Sequence, residues 1–372
     1  MSGEKLKDSW EDLKKKIPAE YFVDKVDRRR DWRPEVCIVV LREVVDPVLA
    51  RSSDSERAEL FITKDSTDKE IVRARVNGEK FTSVERLTGL NICRVLNQIK
   101  DHGWDIISPE YLYNEIVGGL AVAINPDTVT YGAAGVEKGE TFSIKSRVIE
   151  GYTYTLEPYN LLNKEQHNAL YETGTMMKVG TEEGVEERGR GLYAHVNIEP
   201  PTKMVHFVRV EAPTKEMFLY VLHNILNTTS YFARSTRKGS IRNIILGIIF
   251  SRIGIGLSSG ELIKEQFSAN TKSDYAQDEV LGAVKSYVQN HKNIFWKILW
   301  DGEKEFLESI APLIDVALLK DENSIESLRE CLKEMTTQAI ASYIPPEKEK
   351  RIKKMAGISY ENLEWENVRS RI

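Results

Sequence analysis

Tyr231–Arg252 reads YFARSTRKGSIRNIILGIIFSR, a basic loop that runs straight into an apolar, β-branched strand. The stretch holds Arg234, Arg237, Lys238, Arg242 and Arg252 and no acid, and no Asp or Glu occurs from Met217 to Gly260. The formal net charge of the chain is -5, so this basic region stands against an acidic background. Arginine presents forked donors that fit phosphate, and glycine lets a backbone approach closely, so the composition suits a polyanion. From charge alone, a solvated surface loop and a nucleic-acid contact are equally open.

The strand of this stretch, Asn243 to Phe250, is the last of a series. Before the loop, Met204 to Val210 (MVHFVRV) reads as a strand, and Pro213-Thr214 opens a helix. Its apolar residues Met217, Phe218, Val221, Leu222, Ile225 and Leu226 share one face. Strand, helix, loop and strand make half of a split βαβ, or ferredoxin-like, unit. The β-branched run Glu35 to Val45 and a helix over 83–100 supply the other half. Thr82-x-x-Glu85 has the spacing of a capping box for that helix, which should stop near His102-Gly103. Asn77-Gly78 predicts a tight hairpin turn, and Asn125-Pro126-Asp127, after an apolar segment over 116–124, predicts a turn.

Residues 157–203 have few large apolar side chains, and Gly180–Gly191 (GTEEGVEERGRG) cannot pack a core. They read as a long, mobile excursion with that segment at its tip. Beyond Gly260, helical spacing recurs over Asp278 to Trp300, Lys304 to Leu319 and Ser324 to Ser342, before a charged tail after Pro345-Pro346. The expected organisation is an α+β core with insertions over 35–260 and a helical region over 261–372.

With 372 residues, 41% hydrophobic and 29% charged, the chain has the material for a packed core, and its acidity excludes a generally basic binder. Cys37, Cys93 and Cys331 are far apart and form no C-x-x-C, so a zinc ribbon is not signalled. No signal peptide or membrane span is read, and the expected compartment is the cytoplasm. No phosphate-loop, zinc-protease or serine-hydrolase motif occurs, and Gly254-Ile255-Gly256 lacks the third glycine of a dinucleotide fingerprint. The six histidines have no metal-ligand spacing, and no carboxylate pair can be singled out as acid and base. Positive evidence for catalysis, a cofactor or a metal is therefore lacking.

Basic residues elsewhere could join the loop around one groove: Arg51, Arg73 and Arg75, Lys145 and Arg147, and Arg188 and Arg190. Each alone reads better as solvated surface. Together they suggest contacts to a nucleic-acid backbone, and without an aromatic RNP-type motif they favour phosphate recognition over base stacking.

Thr236-Arg237-Lys238-Gly239, with Arg242, Ile245-Leu246-Gly247 and Phe250-Ser251, resembles the T-R-x-G segment and following strand of CRISPR Cascade backbone subunits. The resemblance is to the type I-D backbone subunit, in the Cas-seven family of the RAMP superfamily. Arg51-Ser52, Asn125-Pro126-Asp127 with Tyr131-Gly132, Ser146-Arg147-Val148 and Ser258–Leu262 match in the same order. The resemblance implies an RNA-recognition-motif-like core with large insertions, joined to the helical C-terminal part read above. It implies copies stacking along a CRISPR RNA, held by its backbone so that its bases pair with target nucleic acid, beside other effector subunits. Residues 157–203 would be a hairpin thumb. Lys238 stands where the family often has an aromatic residue. The cysteine cluster of some type I-D members is missing, so zinc is not carried over.

The contact residues to be expected are Arg51, Arg147, Arg188, Arg190, Arg234, Arg237, Lys238 and Arg242, in a non-catalytic scaffold. The alternative is a metal-dependent endoribonuclease of the same superfamily, using an aspartate such as Asp46 or Asp54. A third reading is a protein-only assembly factor that uses its acidic helical C-terminus.

Overall fold

The computed structural model describes residues 9–344 except 27–29, 51–58, 99–104, 110, 114–118, 138–139, 160–163, 168–176, 179–186, 189–192, 235–236 and 270. The protein is mixed α+β, with antiparallel sheets and helices on both sides of the principal sheet. In chain order the strands used below are β1 (Glu35–Asp46), β2 (Glu59–Lys64), β3 (Glu70–Val76), β4 (Val148–Glu150), β5 (Thr153–Tyr154), β6 (Lys203–Glu211), β7 (Ser230–Arg234), β8 (Arg237–Ser251) and β9 (Trp296–Trp300). The helices used below are α1 (Glu79–Gln98), α2 (Lys215–Asn227), α3 (Gln277–His291) and α4 (Glu322–Tyr343).

The principal sheet runs β7-β8-β1-β6-β4, with β9 also paired to β8. Every neighbour is antiparallel. Strand β8 is long enough to pair twice along one edge. Ser240 opposes Ser230 of β7, while Gly247 to Ser251 oppose Trp300 to Trp296 of β9. Its other edge follows β1 from Asp46↔Ser240 to Glu35↔Ser251, with register shifts at Val39/Val40 and Val44/Asp46.

Both faces of the sheet are covered. Val36, Ile38 and Val40 lie with Val208, Val210, Ile248 and Phe250 in one core, which takes Leu90, Cys93 and Leu96 from α1 and Phe218, Val221 and Leu222 from α2. Helix α4 adds Leu328, Cys331 and Leu332. Cys37, Val39 and Leu41 face the other way, with Val205, Phe207, Leu246 and Ile249, onto Leu262, Phe267 and the α3 residues Val280, Val284 and Tyr287. A strand buried on both sides reads as a continuous apolar run, which is why EVCIVVLREVV lacks polar alternation.

Several local expectations are corrected. Asn77-Gly78 does not turn a hairpin; Asn77 Oδ1 accepts from the Glu79 N–H at 3.3 Å, and α1 starts there. The β2–β3 hairpin turns at Asp65, whose side chain accepts from the N–H groups of Thr67 (2.8 Å) and Lys69 (3.0 Å). Thr82 and Glu85 are therefore inside α1 and do not form a capping box. Thr82 Oγ1 donates to Glu150 at 2.5 Å, and Glu85 is buried. Asn125-Pro126-Asp127 opens a short helix, Pro126–Tyr131, capped by the Asn125 side chain. The helix expected over Asp278 to Trp300 ends at His291, and Trp296–Trp300 is β9, a strand joined to the sheet from beyond residue 260. The helical end of α1 near His102 and the tail after Pro345 lie outside the described residues.

The β8–β9 seam makes a testable demand. A Cβ on Gly247 would stand 2.4 Å from a Trp300 ring carbon and 2.9 Å from the Leu299 carbonyl oxygen. Gly247→Ala is expected to lower stability by about 1–3 kcal/mol, as overpacking does. Denaturant unfolding measures the shift, and an unchanged midpoint would contradict this packing.

Candidate nucleic-acid interface

Strands β7 and β8 form the basic hairpin. Their register pairs Ser230 with Ser240, Tyr231 with Gly239 and Arg234 with Arg237, so two of the expected arginines are direct cross-strand partners and Lys238 follows. The ladder shifts register between Tyr231 and Arg234, and Phe232 has φ 54°. A left-handed φ at a non-glycine residue marks a bulge, and this one lets consecutive side chains, Tyr231 and Phe232, both be buried. Both rings pack on Phe81 of α1, at 5.5 and 5.0 Å between centroids.

Gly239 explains how closely the hairpin meets the Pro47–Val48 segment. Its Cβ position lies 2.3 Å from Val48 Cγ1 and 2.6 Å from the Pro47 carbonyl oxygen, so only glycine permits this approach. Val48 in turn exchanges backbone hydrogen bonds with Ile198, at 3.0 and 2.8 Å. The segment leading to Arg51 and the returning end of the 157–203 excursion thus converge beside the hairpin. Within the excursion, Lys164–His167 pairs with Tyr193–Val196, and Met177–Lys178 pairs with Glu187–Arg188. The two antiparallel pairs are nested, the backbone pattern of a chain that goes out and returns. Arg188 is on the inner pair, while Arg51 and Arg190 lie outside the described residues.

The other expected contacts separate. Arg242 is exposed at the hairpin's root and ion-paired to Glu43. Arg147 belongs to the opposite edge of the sheet, next to β4. It is 1% exposed and donates to the Ala212 carbonyl, so the expectation of a surface arginine in the groove is not met there. Arg73 is also buried and donates to the Phe267 carbonyl at 2.7 Å. Arg75 pairs with Glu59, and Lys145 Nζ is 3.9 Å from Glu211. Asp46 is exposed at the end of β1, opposite Ser240; Asp54 lies outside the described residues.

Beneath the hairpin is a polar cluster that sequence reasoning missed. Arg42 of β1 is wholly buried, with its guanidinium 4.1 Å from the centroid of the Phe81 ring. Its Nη1 donates to Glu85 Oε1 (2.7 Å), Asn243 Oδ1 (3.1 Å) and Tyr231 OH (3.2 Å), and its Nε donates to His206 Nδ1 (3.1 Å). Burial, and then the Arg42 charge, hold His206 well below the usual histidine range, which keeps it neutral. Glu150 completes the cluster. Burial, reinforced by the Glu85 charge, pushes its carboxyl up to about 8. The available signal was parity: Arg42 follows Val36, Ile38 and Val40 at even positions on the strand's inward face.

Among the described residues no helix is long and apolar enough to cross a membrane, and no group of three His, Cys, Asp or Glu could hold a metal ion.

A family model described as Csc2 Crispr matches residues 36–327. The chain belongs to the Csc2 CRISPR family. Among solved structures it is similar to Csc2 from Thermofilum pendens, with 16% identity, a TM-score of 0.57, and coverage of 91% of this chain and 95% of that one. This likeness supports the shared fold. A chain of a CRISPR RNA-guided surveillance complex has 9% identity and a TM-score of 0.43, covering 77% of this chain and 100% of that one. One of a type IV-B CRISPR complex has 14% identity and a TM-score of 0.34, covering 57% and 90%. No curated protein matches the sequence.

The raised Glu150 carboxyl gives a pH signature. The folded protein holds that proton above the ordinary glutamate value of 4.5, where the unfolded chain releases it. Its contribution to stability is complete below that value and is lost as pH rises toward about 8. Glu150→Gln cannot ionise, so between about pH 5 and pH 8 its stability should fall less than that of the native protein. Thermal unfolding across this range checks it; parallel curves would mean that Glu150 does not titrate there.

Proposed function

We propose that this chain is a non-catalytic, CRISPR RNA-binding backbone subunit of a type I-D effector complex. The observation that carries the reading is the convergence of the basic hairpin, the Arg51 segment and the excursion's root at Gly239 and Val48. A polyanion lying there would meet Arg234, Arg237, Lys238 and Arg242, with Arg51 close by in sequence and Arg188 and Arg190 on the excursion. The order β8-β1-β6-β4, with α1 between β1 and β4 and α2 between β6 and β8, supports an RNA-recognition-motif-like, split βαβ core over 35–260. Residues 261–372 then supply its helical cover and β9. In this protein the sheet faces are filled by helices, so bases have no open sheet on which to stack. That leaves phosphate contacts to bind the guide, whose bases stay free to pair with target nucleic acid. The nested strand pairs of 157–203 are the proposed thumb, reaching toward a neighbouring copy or another effector subunit.

Replacing Arg234, Arg237, Lys238 and Arg242 together by alanine should weaken RNA binding by about 10- to 100-fold near physiological salt. The salt slope should also flatten, because each lost phosphate contact removes about 0.7 from it on a single strand. Titrations at several salt concentrations measure both, and an unchanged affinity and slope would remove the hairpin from the interface. Bound copies should rise stepwise with RNA length, as native mass measurement would show. A single copy, or a closed dimer at every length, would defeat the backbone reading.

Exposed Asp46 beside the hairpin favours one second reading, a metal-dependent endoribonuclease. Magnesium-dependent cleavage of labelled RNA, abolished by Asp46→Ala, would establish it instead.

A further inference from the structure

Strand β7 is five residues long and its ladder with β8 is interrupted, so backbone pairing alone holds the basic hairpin weakly. The Tyr231 side chain supplies what the ladder lacks. Its hydroxyl donates to Glu85 Oε1 of α1 at 2.9 Å and accepts from Asn243 Nδ2 of β8 at 2.8 Å and from Arg42 Nη1 of β1 at 3.2 Å. One buried hydroxyl thereby ties β7 to three elements, three residues before Arg234. Glu85 and Arg42 are themselves locked as a fully buried ion pair at 2.7 Å. Moving Tyr231 would break three buried hydrogen bonds within one polar network, which is costly in an interior.

We infer that Tyr231, held by the Glu85–Arg42 pair, is a positioning residue that fixes the root of the basic hairpin for a nucleic-acid ligand. This rests on the proposed role of the hairpin and adds how its geometry is set. A fixed hairpin does not lose conformational freedom when RNA binds, whereas a loosened one must be ordered by the ligand and binds less tightly. Without the hydroxyl the charges remain, so the electrostatic part of binding is preserved.

Tyr231→Phe separates these contributions. The variant should fold, because every partner of the hydroxyl keeps another bond. Asn243 Nδ2 also donates to the Ile225 and Thr228 carbonyls, and Glu85 stays paired to Arg42. Affinity for single-stranded RNA should fall about five- to tenfold with an unchanged salt slope. Amide exchange should quicken in the hairpin and not in the core of the sheet. Asp105→Asn, which weakens the distant buried pair of Asp105 with Arg329, should lower stability and leave RNA affinity as it is.

Should Tyr231→Phe fail to fold, Glu85→Gln carries the same comparison, since it removes the charge that orients both Arg42 and the hydroxyl. If Tyr231→Phe binds RNA like the native protein while the quadruple alanine variant does not, the positioning role is wrong and the interface stands. If the quadruple variant also binds normally, the interface and its positioning residue both fall. A reduced salt slope in Tyr231→Phe, or an affinity loss matched by Asp105→Asn, would likewise overturn the inference.

Discussion

Burial of β1 on both faces is the constraint on which the rest of this structure depends. A strand with Val36, Ile38 and Val40 on one side and Cys37, Val39 and Leu41 on the other cannot be an edge. It needs strands on both flanks, supplied by β6 and β8, and a helical layer above and below. Each layer buries apolar area at about 25 cal/mol per Å². The residues beyond 260 therefore act as part of the same packed unit, through α3, β9 and α4. The second layer also closes the face that would otherwise offer bases a stacking platform.

That constraint sets the character of the polar interior. Where β1 approaches the hairpin its inward series continues into Arg42, a charge with no access to water. The charge is tolerated because α1, β6, β7 and β8 each deliver a partner: Glu85, His206, Tyr231 and Asn243. Such a cluster adds little net stability compared with apolar packing, but it admits few alternative arrangements. Its placement directly below the basic hairpin connects the rigid centre of the sheet to the surface proposed to meet RNA.

The division of labour is then physical. In the proposed role, covered sheet faces and a basic edge favour contacts with phosphates, which carry no sequence information. Arg242 is ion-paired to Glu43, an acid that offsets part of its charge.

Much of the core was legible in the sequence because periodicity and β-branching report local burial. The strands at 35, 204 and 243 and the helix after Thr214 follow from those signals, with ends shifted by a few residues. The basic stretch was legible from charge as a loop, and the pairing of Ser230–Arg234 with the start of β8 was not. Three things were decided only by tertiary structure. Trp296–Trp300 is apolar enough for helix or strand, and the free edge of β8 made it a strand. Asn77-Gly78 could have turned a hairpin, but the Asp65 turn closes β3 against β2 and leaves the pair to start α1. Arg73 and Arg147 look like surface cations in the sequence, yet both are buried. Sequence pattern fixes which residues seek water or oil over a few positions. Only the folded chain brings distant carbonyls and carboxylates close enough to hold a charge inside.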